Sequence, residues 1–302
     1  MATDSPLRCG LVGTGHWAQI THAPALAGTD GIVFSSVWGR DPQAARALAG
    51  AHGATAYPDL DAFLASVDAV VFAVPPDVQS EIAVRAARAG KHLLLEKPVA
   101  LTEPAADALA QAVADARVAS VVFFTARFDP RIRAWLDEVT ARGRWFGASA
   151  AWLGSSLEQS SPFNTPWRKE KGGLWDLGPH VVSLLWASLG PVVSVTADAG
   201  LADVTHLVLH HESGATSTAT VTLNAPPAAE HLALSLWGEP GRSLAPLADR
   251  GEPQAALRVA LTELAANASS GRVDHPCDAA FGRDVVRVLA AAEREIEARP
   301  GR

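Results

Sequence analysis

Cysteine is scarce. The chain has two, Cys9 and Cys277, among 302 residues, which excludes a disulfide framework, and neither has a partner at zinc-ligand spacing. The ten histidines are scattered, so no metal is expected. Long apolar runs are missing too. The longest, such as residues 69–76, fall far short of the roughly 20 residues that a membrane-spanning helix needs. No early stretch joins a basic head to an apolar segment, so no secretory signal is expected. Base is in deficit, with 25 Lys and Arg against 32 Asp and Glu and a formal net charge of -7. Nucleic acid and anionic membranes demand the opposite field. A reducing cytoplasm and a small-molecule partner fit what is left.

Apolar residues make up 48% of the chain and charged residues 19%, enough for sizeable cores, and this length favours two domains. Up to about Thr125, short β-branched or apolar runs alternate with alanine-rich segments of helical length, the pattern of a parallel sheet with crossover helices. Strands are read at residues 9–12, 33–38, 69–74, 92–95 and 121–125, with a short one near Thr55. Asp41-Pro42 and Thr102-Glu103-Pro104 read as helix starts, and Gly90 as a helix end. After about Arg127 the texture changes. Strands at 147–154, 192–197, 204–210, 216–223 and 231–237, with a hairpin turn at 212–214, predict a mainly antiparallel sheet. Residues 155–161 and 244–254 read as loops, and 277–297 as an amphipathic helix. The expected fold class is α/β: a doubly wound parallel domain over 1–125, then an α+β domain over 126–302 whose last helix packs back on the first. No internal repeat is present.

Gly13-Thr-Gly15-His16-Trp17-Ala18 directly follows the first strand and opens a helix. In that setting glycines permit a tight turn, backbone N–H groups approach a pyrophosphate, and the helix N-terminus supplies partial positive charge. Ala18 stands where a third small residue lets helix and strand touch. The context is that of a Rossmann dinucleotide site. At the tip of the second strand stand Gly39, Arg40 and Asp41. An arginine there pairs with a 2′-phosphate, which favours NADP, with NAD as the alternative. Asp41 can hold a ribose diol or cap the next helix.

Two further segments carry chemistry: Glu96-Lys97-Pro98 at the end of an apolar run, and Gly172-Gly173-Leu-Trp-Asp176-Leu-Gly178-Pro-His180. With Val74-Pro75-Pro76-Asp77 at a strand tip, Arg127-Phe128 after the last parallel strand, and residues 278–286 near the end, the chain resembles the glucose-fructose oxidoreductase / inositol dehydrogenase / MocA family. The resemblance covers nearly the whole chain. It implies an NAD(P)-dependent dehydrogenase or reductase acting on sugars, polyols or their derivatives, with a second-domain sheet that walls the substrate pocket and often forms a subunit interface. A homodimer or homotetramer through that sheet is therefore expected. The resemblance also implies a cis bond between Lys97 and Pro98. Where relatives often carry asparagine and histidine after the strand-tip proline this chain has Pro76 and Gln79, and a frequent aspartate is Ser183. Those departures put a simple polyol substrate in question.

The expected cofactor contacts are Gly13, Gly15, His16, Trp17, Ala18, Gly39, Arg40, Val74, Pro75, Glu96 and Lys97. His180, four residues after Asp176, can exchange the hydroxyl proton. Lys97 can stabilise developing alkoxide, and Asp176 can orient substrate. Each has a plainer role: a core histidine, a solvated lysine, an N-cap. Gly172-Gly173 is expected to let the backbone enter the helix beside a ligand. Arg127, Trp152, Trp167 and Trp175 are candidate substrate contacts; Arg168 and Lys169 could, with Arg127, meet an anionic substituent, although a solvated surface is the expected place for these two. Two other functions remain open at this stage, an NADPH-dependent imine or non-sugar ketone reductase and a non-catalytic dinucleotide sensor.

Overall fold

Runs of valine, leucine and phenylalanine form the strands of the first of two units in the computed structural model, which describes residues 5–298. This unit comprises the chain up to Phe128 together with Gly251–Arg283. Strands β1 (Leu7–Val12), β2 (Ile32–Trp38), β3 (Thr55–Ala56), β4 (Ala69–Phe72), β5 (His92–Glu96) and β6 (Ser120–Phe123) pair in parallel, in the order 3-2-1-4-5-6. The order reverses between β1 and β4, which leaves a crevice at their carboxyl ends. β4 and β6 are buried along their whole length, as strands covered on both faces must be.

The intervening helices are α1 (Ala23–Ala27), α2 (Pro42–Ala51), α3 (Leu60–Ala65), α4 (Pro76–Arg88) and α5 (Glu103–Ala116). Their boundaries follow the expected signals. Asp41 caps α2 by accepting from Gln43 and Ala44 N–H, Thr102 caps α5 by accepting from Ala105 N–H, and Gly90 takes φ +73° just after α4.

The second unit comprises Asp129–Arg250 with the chain from Asp284 onward. It contains α6 (Pro130–Arg142), α7 (Pro166–Asp176) and α8 (Gly178–Leu189). Its strands are β7 (Trp145–Leu153), β8 (Val192–Ala199), β9 (Thr205–His211), β10 (Thr216–Thr222), β11 (His231–Gly238) and β12 (Gly241–Leu244). They form one sheet in the order 12-11-7-10-9-8, antiparallel except where β7 meets β10. Along β9, Thr205, Leu207, Leu209 and His211 are buried while His206, Val208 and His210 are exposed. α8 packs against β7 and β10.

The elements that the sequence reading left out include α6, β12 and α9. β12 lies within a stretch too short and polar to stand out. α9 (Pro253–Ser270) buries Leu257, Ala260, Leu261 and Leu264 and packs against β5 and β6 of the first unit. It follows a supposed loop and belongs to the first unit although it comes late in the chain. The last helix, α10 (Ala279–Glu297), gives its first turn to the first unit and the remainder to the second.

Burial holds two histidines below the usual imidazole range, one in each unit: His92, whose ring accepts Ala119 N–H, and His211, bonded to Gly190 O and Ser217 Oγ. The unfolded chain therefore takes up these protons first, near pH ~6.5. Their contribution to stability is whole above that pH and is lost as pH falls. The urea midpoint is expected to drop between pH 7.5 and pH 5, and His211→Gln to remove part of that slope. A flat profile would contradict the assignment.

Candidate functional site

In the first unit the glycine loop has two kinds of glycine. Gly13 has φ +124°, and a Cβ there would run into the carbonyl of Ala73 at the end of β4. Gly15 has no protein atom near its Cβ position, so packing does not require it. A bare backbone facing open space is what a pyrophosphate needs for close approach. The residues therefore fit a dinucleotide. Ala18 is fully buried, as close helix–strand packing requires, and a π-helical turn spans Ala18–His22. His16 is exposed, and Val74 and Pro75 are half-buried after β4. At the tip of β2, a Cβ on Gly39 would meet Thr14 Cγ2 at 2.8 Å, so Gly39 is small because the loop lies against it. Arg40 is exposed beside it, and Asp41 has its carboxylate on the α2 cap.

Glu96 joins this loop to Lys97. Trp17 Nε1 donates to Glu96 Oε1 at 2.8 Å, and Lys97 N–H donates to Oε2 at 3.2 Å. His22 Nε2 lies 3.2 Å from Oε1, within ion-pair distance. Lys97 is half-buried and its bond to Pro98 is cis, as the resemblance implied. Gln79, fully buried on α4, holds the same segment. Its Oε1 accepts Glu96 N–H at 2.8 Å and its Nε2 donates to Glu96 O at 2.8 Å, with Pro98 O and Val99 O at 3.3 and 3.4 Å. The sequence reading set Gln79 beside questions of substrate. Its amide instead secures the backbone on both sides of Lys97.

In the second unit α7 is interrupted at Gly172, which has φ +64° and ψ −164°. The cause is Asp203, in a turn before β9 where Ala202 and Asp203 both have positive φ. Asp203 Oδ2 accepts from Gly173 N–H at 2.9 Å and Leu223 N–H at 3.1 Å, while Oδ1 occupies the space a Cβ on Gly172 would need. A Cβ on Gly173 would meet the Thr222 backbone at 2.7 Å. Both glycines are thus required by the protein's own turn and strand. Burial pushes the Asp203 carboxyl up against the pull of its two N–H donors. No sequence signal marked Asp203, which lies 30 positions from Gly173.

Asp176 and His180 are 5% and 7% exposed. Asp176 ends α7 and is not the N-cap of α8; the cap position is Leu177, with no side-chain bond. Pro179 lies in the first turn of α8, where its missing N–H is harmless. The His180 ring stacks on Trp152 at 5.0 Å between centroids, with the Arg250 guanidinium 5.7 Å from the Trp152 ring. Arg168, read as solvated, instead donates from Nε to Asp176 Oδ2 at 3.0 Å and lies over Trp167 at 4.6 Å. Lys169 is exposed as expected. Trp175, expected to face substrate, is 1% exposed and donates to Glu293. It is a core residue. In the first unit Arg127 lies 5.8 Å from the Phe281 ring.

Gly172→Ala would force a side chain into both a left-handed backbone and the Asp203 carboxylate. A loss of about 2 to 4 kcal/mol is expected, read as a lowered denaturant midpoint; an unchanged midpoint would dismiss the Asp203 clamp.

Residues 7–124 match the family model described as oxidoreductase family, NAD-binding Rossmann fold (GFO_IDH_MocA), and residues 131–243 match the GFO/IDH/MocA C-terminal domain. Inositol 2-dehydrogenase of Rhizobium meliloti (strain 1021) is 33% identical over 199 residues, which are 65% of this chain and 59% of that protein. The match therefore spans less than two thirds of that relative. Two solved structures share the fold. One is GenD2 from gentamicin A biosynthesis in complex with NAD, with a TM-score of 0.85 at 23% identity over 97% of this chain and 95% of that one. The other is levoglucosan dehydrogenase in complex with NADH and levoglucosan, with a TM-score of 0.83 at 20% identity over 97% and 98%. With both domain models matched in order along one chain, this protein belongs to the Gfo/Idh/MocA oxidoreductase family.

Proposed function

We propose that this chain is an NAD(P)-dependent dehydrogenase that interconverts an alcohol and a carbonyl on a small sugar-like or polyol-like molecule. The observation that carries this reading is His180, buried in the second unit with its ring stacked on Trp152 and Asp176 one turn before it. An imidazole in that setting moves a proton to or from a substrate hydroxyl. Lys97 stabilises negative charge on the reacting oxygen, and its backbone is fixed for this by Glu96 and Gln79. Asp176 positions the substrate. Gly13, Gly15 and Ala18 hold the dinucleotide, which when bound supplies the hydride acceptor or donor. The substrate class follows the relatives named for inositol and levoglucosan.

Two of the features that suggested an imine or non-sugar ketone reductase have structural roles instead. Gln79 is committed to backbone and Trp175 to the core, so neither speaks for an unusual substrate. For the cofactor, NADP is the reading favoured by Arg40, exposed at the β2 tip, with Asp41 occupied as a cap. The exposed face of β9, with the threonines of β10 beside it, is the surface proposed to pair with a second copy of the chain.

Lys97→Ala and His180→Ala are each expected to keep dinucleotide affinity while turnover falls about 10²-fold or more. Steady-state rates beside cofactor titrations check this, and undiminished rates in both variants would remove the site assignment. Arg40→Ala should weaken NADPH binding far more than NADH binding. Equal effects on the two would return the choice to NAD.

A further inference from the structure

We propose that Arg250 is a specificity-determining residue of the second unit, and that it selects substrates carrying an oxyanion, a carboxylate or a phosphate group, on their sugar-like frame. The inference rests on the dehydrogenase reading above and adds to it the charge of the substrate.

Arg250 lies in a stretch that reads as a loop in the sequence, yet its backbone is fixed. It follows a 3₁₀ turn at Leu247–Asp249, which packs against β11 and buries Leu247. Leu247 N–H donates to Ala245 O at 2.8 Å, and Arg131 at the start of α6 donates from Nη1 to Asp249 O at 2.6 Å. The Arg250 side chain is held as well: Nη1 donates to Leu247 O at 3.1 Å, and Cζ lies 5.7 Å from the centroid of the Trp152 ring. Trp152 in turn stacks on His180, the proposed proton carrier. One indole therefore links the Arg250 charge to the imidazole.

The two arginines of this region differ in charge balance. Arg168 is neutralised by Asp176 at 3.0 Å. Arg250 is exposed, and its guanidinium makes no ion pair among the described residues. Its one hydrogen bond to protein uses Nη1, which leaves the side-on fork of Nε and Nη2 open. That fork matches two oxygens of a carboxylate or phosphate. An exposed arginine in water gives such a group little, because solvent screens the contact. Trp152 changes this: it is only half-buried, and a sugar ring resting its C–H face on the indole would bring an oxyanion to the fork and shield it. A neutral polyol gains nothing from the same fork that water does not already supply.

The test compares the wild-type enzyme with Arg250→Gln and Arg250→Glu on matched substrates: D-glucose against D-glucuronate and D-glucose 6-phosphate, and myo-inositol against myo-inositol 1-phosphate. Turnover with NAD and NADP is measured beside calorimetric binding to the NADH-loaded enzyme, and thermal melting reports on folding. In the wild type an anionic member should be preferred about 10- to 100-fold in kcat/KM, mostly through KM. That preference should shrink as ionic strength rises. The carboxylate and phosphate arms separately show which anion is read. In Arg250→Gln the preference should fall to within about 3-fold. Arg250→Glu should reverse it, and serves if the glutamine variant does not fold. A preference unchanged in the folded variants overturns the proposal, as does a wild type that favours neither anion in turnover or binding. Anion binding that depends on Arg250 without turnover of any substrate would remove the dehydrogenase reading and leave the oxyanion site standing.

Discussion

A chain that leaves a strand or bends a helix inside a protein carries N–H and C=O groups that no ladder satisfies, and those groups cannot be left unpaired. Both candidate segments of this protein meet that constraint in the same way. In the first unit the Gln79 amide takes both the N–H and the C=O of Glu96. In the second the Asp203 carboxylate takes the N–H of Gly173. One polar side chain from a distant part of the chain pins each irregular stretch, and the functional side chains follow from where the backbone is pinned.

Rigidity of this kind has a chemical use. Lys97 sits on a short segment bonded on both sides, so its ammonium starts from a fixed point rather than from a mobile loop. The Glu96 carboxylate extends this to the glycine loop through Trp17. The loop and Lys97 are thereby parts of one hydrogen-bonded structure in the first unit. In the second unit the kink at Gly172 ends one helix in time for another to start with Pro179 in its first turn. That places Asp176 beside Arg168 and His180 beside Trp152.

Much of this was legible in the amino-acid order. All six parallel strands and five of the six in the other sheet were marked by β-branched runs and turn residues, and the caps at Asp41 and Thr102 are real. Other parts escaped because they depend on contacts distant in the chain. α9 has the apolar spacing of a helix but belongs to a unit begun more than a hundred residues earlier, and nothing local says so. Tryptophans were harder still, because burial of Trp175 and stacking of Trp152 depend on what lies opposite each ring.

By itself the sequence determined the two sheets, the glycine loop and the residue types available for proton and hydride chemistry, because periodicity, capping and glycine spacing act over a few residues at a time. Only the tertiary structure decided what each of those residues touches. Gly39 is small because of Thr14 and Gly172 because of Asp203. Both are contacts between segments far apart in the chain, and hydrogen bonds and packing across space leave no periodic trace along it.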